Sequence, residues 1–216
     1  MKAIVIGATG ATGKELVDLL LEDTQVESVT IFARKKLSIN HSKLNVIQID
    51  FNKPNEWDTL VKGDVLFCCL GTTLKVAGNK DAQWKVDHDY QLWFAQAAKI
   101  NKVPCCVLVS ALGASSRSSV FYSRMKGELE DAIDKLNFGK FLVFQPPLLL
   151  REHTDRTMEI VGAKVIGFFN ALGLLKSQQP LATKDLAKAM LFAAEKTPVG
   201  NHIFKGQAIR QLLNNN

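Results

Sequence analysis

A doubly wound α/β fold, one parallel sheet with helices on both faces, is what the sequence predicts, and three observations predict it. Short β-branched or apolar runs alternate with longer amphipathic stretches over the first two thirds of the chain, which is the rhythm of repeated strand–helix–strand units. A glycine-rich turn at 7–13 follows the first run directly, where such a sheet opens its crevice. The 216 residues, 47% apolar and 22% charged, are enough to bury one substantial core, and that excludes a disordered chain.

Residues 3–6 give the first strand, and 13–21 the first helix, with apolar positions three and four apart. Strands follow at 29–33, 46–49 and 64–70. A long helix over 82–100, a strand at 105–110, a helix over 123–136 and a strand at 140–144 complete the alternation. A last helix over 185–195 is opened by Thr183 or Asp185 as its cap. After Pro147 the pattern weakens: 151–159 is charged without a clear period, and 161–175 is apolar but punctuated by glycine. We read 1–216 as a single domain with 147–180 as a substrate-side insertion, a small C-terminal region facing the substrate. Asn214, Asn215 and Asn216 read as a frayed end.

Charge and composition remove several function classes. The excess of 27 basic over 21 acidic side chains is +6, yet the densest cluster is only Arg34-Lys35-Lys36, with no aromatic-interleaved basic stripe for nucleic acid. No apolar run approaches the roughly 18 residues of a membrane span, and the run after Met1 is too short for a secretory leader, so a cytosolic protein is expected. The cysteines fall as two adjacent pairs, Cys68-Cys69 and Cys105-Cys106, inside strand-like runs. Neighbours on a strand point to opposite faces, so these read as buried thiols in a reducing compartment, with no metal site.

The turn Gly7-Ala8-Thr9-Gly10-Ala11-Thr12-Gly13 leads from a strand into a helix. Glycines at intervals of three let backbone amides and a helix N-terminus close on a diphosphate. A triphosphate P-loop is excluded, because residue 8 is Ala and Lys14 is followed by Glu15. The second strand ends at Ala33-Arg34-Lys35, without the acidic residue that binds an NAD ribose 2′-hydroxyl. A guanidinium there stacks on adenine and pairs with a 2′-phosphate, which favours NADP(H). Asp50, beside Phe51 at the end of the third strand, is placed either to accept from the adenine amine or to cap the next helix. Leu70, Gly71, Thr72 and Thr73 end the fourth strand, where Gly71 lets backbone approach the cofactor ribose and the threonines donate to it.

Chemistry is suggested by Ser110 at the end of the fifth strand and by Tyr122 and Lys126, one helical turn apart. The apolar stripe of that helix is Met125, Leu129, Ala132, Ile133 and Leu136, with Tyr122 within it and Lys126 at its edge, so both are expected to point into the protein. An ammonium near a phenol favours the phenolate and suits the pair to general acid/base work. Tyr122 would protonate an alkoxide formed by hydride transfer, Ser110 would hydrogen-bond the same oxygen, and Lys126 would hold the nicotinamide ribose.

These residues, with 67–73, Val86-Asp87-His88-Asp89-Tyr90, Gly127-Glu128, Arg156 and Glu159, resemble the atypical short-chain dehydrogenases/reductases over almost the whole chain. The likeness is to the NADPH-binding, oxidoreductase-like branch named for the HIV-Tat interactive protein. It implies an NAD(P)-binding Rossmann fold, NADPH as cofactor, Tyr122 and Lys126 in the catalytic positions and Ser110 at the usual strand end. Two positions depart. The family's Arg-Pro-Gly after the sixth strand is here Gln145-Pro146-Pro147, where Pro146 lies by the nicotinamide carboxamide, and Ser110 is followed by Ala111 where a second serine is common.

Arg151, His153 and Arg156 lie in the segment expected to face a substrate, and Arg156 suits an acidic group; His88 and His202 are isolated and read as structural. The reading is an NADP(H)-dependent oxidoreductase with a small carbonyl or alcohol substrate. An NADPH-binding regulatory or redox-sensing protein with a protein partner and vestigial turnover is the alternative. Sugar-nucleotide epimerisation is disfavoured, since only about 70 residues follow Pro147, little room for a substrate domain. Trp84, Tyr90, Trp93 and Phe94 on one helix are expected in the core, with a homodimer interface as the other use.

Overall fold

The computed structural model describes residues 1–37, 39–150 and 179–214. Seven strands form one sheet in the order β3-β2-β1-β4-β5-β6-β9, and every neighbouring pair is parallel. They are β1 (Lys2–Ile6), β2 (Ser28–Ala33), β3 (Leu44–Gln48), β4 (Val65–Cys68), β5 (Cys105–Val109), β6 (Lys140–Gln145) and β9 (Gly200–Lys205). The chain turns back beside β1, so the order reverses between β1 and β4, and the crevice beyond their C-terminal ends is where a doubly wound sheet takes a ligand.

Residues alternate cleanly across the sheet. Ala3, Val5, Val65, Phe67, Cys105 and Val107 face one core, filled from α1 (Ala11–Glu22) and α6 (Thr183–Lys196). Ile4, Ile6, Leu66, Cys68, Cys106 and Leu108 face the other, closed by α4 (Tyr90–Ile100) and α5 (Phe121–Asp134). Both faces are dry, which is why the strands read as continuous apolar runs. Phe94 of α4 stacks on Trp57 with centroids 4.0 Å apart and meets Phe32 edge-on at 5.1 Å, so the core use of the aromatic helix holds for Phe94. The cysteine pairs straddle the sheet as expected: all four are free thiols, three buried and Cys69 partly so. Burial pushes the Cys105 thiol up to about 11.

The predicted helix over 82–100 is a composite. It begins as α3 (Lys80–Trp84), widens into a π-helical turn (Lys85–Asp89), and continues as α4. α6 starts from Ala182 with no side-chain cap, so neither Thr183 nor Asp185 serves that role; Thr183 is instead buried and Asp185 lies in the first turn. Two features escaped prediction: β9, whose 200–205 run is too polar to read as a strand, and the helix α7 (Gly206–Asn214) that follows. A short parallel pair, β7 (Leu149–Leu150) and β8 (Leu181–Ala182), flanks the expected insertion. Arg151, His153 and Arg156, and 151–178 of the insertion, lie outside the described residues.

Candidate functional site

The turn out of β1 is fixed by two close approaches. Gly7 has φ +82°, and a Cβ on it would stand 2.4 Å from the Cys69 carbonyl carbon, so this backbone passes the turn out of β4 as only glycine can. A Cβ on Gly13 would stand 2.2 Å from the Gly7 carbonyl oxygen, the same oxygen that accepts the Gly10 N–H at 2.9 Å. α1 then starts from Gly10 with no side-chain cap and no acidic side chain in its first turn. Helix geometry leaves the Ala11, Thr12 and Gly13 amides without intrahelical acceptors, so a positive helix end sits at the switch point with Thr9 and Gly10 exposed beside it. A diphosphate fits this cradle, and a side chain at 7 or 13 would force its backbone apart.

Arg34 and Lys35 follow β2 and are exposed. Arg34 borders a cavity of about 500 Å³ whose wall includes Ile47, Ile49, Asp50 and Trp57, within the size range of small-molecule sites. Asp50 lies two residues past β3 and caps no helix, since the following turn starts from Lys53. It accepts from the Asn52 N–H at 2.9 Å and from Asn52 Nδ2 at 3.0 Å, and these bonds hold its carboxyl below the usual range. The Phe51 ring is buried against Tyr90 and Phe94, which leaves its main chain as what it offers a ligand. After β4, the Thr72 N–H donates to Asp87 Oδ2 at 2.8 Å, and the Thr73 hydroxyl accepts from Val76 N at 3.3 Å as the cap of α2 (Leu74–Ala77). Gly71 is exposed, and the nearest atom to a Cβ placed there is Asp87 Oδ1 at 3.6 Å.

The expectation that Tyr122 and Lys126 both point inward is corrected. Tyr122 is 41% exposed, whereas Lys126 is 2% exposed. Tyr122 is only the second residue of α5, and the helix face does not reach the core until Met125. Lys126, at the edge of the stripe, is drawn in by a buried partner: its Nζ is 3.1 Å from Asp87 Oδ1. Burial alone would depress the Lys126 ammonium, but Asp87, with Tyr122 and Glu130 nearby, outweighs it and holds the amine above its ordinary value. The ammonium is 6.0 Å from the centre of the Tyr122 ring.

Ser110 is buried, its N–H bonded to the Phe144 carbonyl at 2.7 Å. Its hydroxyl donates to Glu130 Oε1 in a short hydrogen bond. Gln145 Nε2 donates to both oxygens of the same carboxyl, at 3.0 and 2.9 Å. Burial pushes the Glu130 carboxyl up, against the pull of these two donors. Pro146, also buried, accepts the Leu112 N–H at 3.1 Å and so braces the loop after Ser110. Sequence reasoning gave no role to Asp87 and missed Glu130. Glu130 had a signal: it follows Tyr122 and Lys126 at further four-residue steps, on one helix face. Asp87 stood in the 86–90 stretch that carries the resemblance, but its inward direction, within the π-helical turn, was not legible from a period of 3.6.

Residues 7–137 match the family described as NAD(P)H-binding. The chain belongs to that family. Rat Protein HTATIP2 is 36% identical over 168 residues, covering 76% of this chain and 69% of the rat protein. The Candida albicans protein named FMP52, mitochondrial, is 30% identical over 206 residues, covering 91% of this chain and 89% of its own. The fold is similar to that of the Bordetella bronchiseptica enzyme WbmH in complex with NAD+, with a TM-score of 0.71 over 94% of this chain and 75% of that one, at 17% identity. The protein is thus an atypical short-chain dehydrogenase/reductase-like NAD(P)H-binding protein, and a nicotinamide nucleotide is its cofactor class.

The cytosolic expectation is corrected by the same relatives, since the fungal ones are named as mitochondrial. It rested on reading the run after Met1 as too short for a secretory leader and the cysteines as buried thiols. Neither bears on import into mitochondria, whose addresses are amphipathic and basic rather than apolar.

Proposed function

We propose that this protein is an NADP(H)-dependent oxidoreductase acting on a small carbonyl or alcohol substrate in mitochondria. One observation carries the cofactor half: the uncapped N-terminus of α1 and the exposed Arg34 stand at the ends of neighbouring strands, where Ile6 of β1 pairs with Phe32 of β2. A diphosphate on the Ala11–Gly13 amides would then put the adenosine ribose beside Arg34 and Lys35, and a 2′-phosphate would give the guanidinium a charge-assisted partner. Arg34→Ala should weaken NADPH binding by about 1.5–3 kcal/mol, on the order of 10- to 100-fold, and leave NADH binding within about threefold. Parallel fluorescence titrations of both nucleotides check this; equal losses for the two, or wild-type preference for NADH, would overturn the NADP(H) assignment.

Bound nicotinamide supplies or accepts the hydride. Tyr122, exposed at the start of α5, carries the proton to or from the substrate oxygen, and Ser110 hydrogen-bonds that oxygen. Lys126, one turn on from Tyr122, stays charged against Asp87. Tyr122→Phe should reduce turnover across an aldehyde and ketone panel by about 100-fold or more. Because the ring is exposed, Tm should move by no more than about a degree. Undiminished turnover would remove Tyr122 from the chemistry, and tight NADPH binding without turnover by the wild type would favour the regulatory alternative.

A further inference from the structure

Three groups from three elements converge beside the proposed reaction site: Ser110 at the end of β5, Gln145 at the end of β6 and Glu130 on α5. The convergence has a chemical consequence, because a serine hydroxyl has a single proton to give. While that proton is committed to the Glu130 carboxylate, Ser110 presents only lone pairs to the cleft. Resting on the oxidoreductase reading above, we propose that Glu130 is a positioning residue that sets the hydrogen-bond polarity of Ser110. As a carboxylate, it accepts the hydroxyl hydrogen bond and leaves Ser110 no donor for the substrate oxygen. As a carboxylic acid, having gained one proton from solvent, it donates to Ser110 Oγ and frees the hydroxyl proton for a carbonyl oxygen.

The surroundings make both states reachable. Facing the carboxyl are Asp131 and Lys126 on its own helix and Lys205 at the end of β9, with the neutral Ser110 and Gln145 in direct contact. Partial burial disfavours the charged form, and the direct donors are neutral, so the carboxyl titrates above the ordinary glutamate range. Reduction and oxidation pass through the same alkoxide-like transition state, so a donor at Ser110 serves both, and protonation of Glu130 favours both.

The test has two arms on the NADP(H)-bound protein. Infrared difference spectra across pH should show a protonated carboxyl band that titrates above the ordinary glutamate range and vanishes in Glu130→Gln. It should persist to higher pH in Ser110→Ala, which loses a donor to the carboxylate. It should retreat to lower pH in Gln145→Arg, which places a cation on the carboxyl. In the kinetic arm, Glu130→Gln, which keeps a donor toward Ser110 at every pH, should remove the same titration step from the kcat/KM profiles of ketone reduction and alcohol oxidation. A band in the ordinary range, or one that Ser110→Ala and Gln145→Arg leave in place, overturns the proposal, as do kcat/KM profiles that Glu130→Gln leaves unchanged. If NADPH binds but no substrate of the panel turns over, the oxidoreductase reading fails and the infrared arm still decides the Ser110–Glu130 polarity.

Discussion

Replacing Lys126 by methionine should lower the unfolding free energy by about 3–5 kcal/mol. The reason is the partner left behind: the Asp87 side chain is 1% exposed, and without the ammonium its remaining contact is the Thr72 N–H, too little to hold a desolvated carboxylate. Denaturant titration at neutral pH reads the loss. The double variant Asp87→Asn/Lys126→Met removes both charges and should recover at least half of it, because replacing a buried pair is far cheaper than breaking one. If the double variant is as unstable as the single one, burial of the charge is not the cause. The pH dependence has a definite sign. Lys126 titrates above its ordinary 10.5 in the folded protein, so its contribution is complete below 10.5 and fades as pH rises through the higher folded value. The gap between wild type and Lys126→Met should therefore be flat from pH 7 to about 9 and close only in stronger alkali.

This pair also marks where reading the chain stops. Strands buried on both faces announce themselves as apolar runs, and the glycine turn announces itself because steric contact leaves no other residue at 7 or 13. Six of the seven strands of the main sheet, the parallel topology they imply and the tight glycine turn were legible for those reasons. β9 was not: its residues alternate between exposed and half-buried at the sheet edge, and its pairing to β6 is a long-range contact that local pattern does not encode.

Within the site, direction was harder to read than identity. A helical wheel placed Lys126 inward, as found, but not Tyr122, since the first turn of α5 stands clear of the core. The inward course of Lys126 is set by Asp87, 39 positions earlier, through a π-helical turn that one unbroken period of 3.6 does not anticipate. Glu130 was hidden differently. Acidic residues on a surface helix are ordinarily solvated, and only the arrival of β5 and β6 beneath it turns this one into the acceptor for Ser110 and Gln145.

Gly13→Ala should abolish cofactor binding and destabilise the fold together, whereas Gly10→Ala should do the first without the second. At Gly13 the added methyl meets the Gly7 carbonyl oxygen at 2.2 Å, a backbone atom that already accepts the Gly10 N–H. The turn must open, at about 1–3 kcal/mol. At Gly10 the backbone is extended, with φ −78° and ψ 170°, open to any residue, and the methyl comes no nearer than 3.2 Å to the same oxygen. The fold should lose only about 0.5–1 kcal/mol as a poorer helix cap. That methyl nevertheless covers the amides at the start of α1, the place a diphosphate must approach, so NADPH affinity should fall by about 100-fold, near 2.8 kcal/mol. Thermal unfolding paired with nucleotide titration separates the two variants. A folded Gly10→Ala protein that binds NADPH as tightly as wild type would place the diphosphate elsewhere and remove the basis for reading Arg34 as its neighbour.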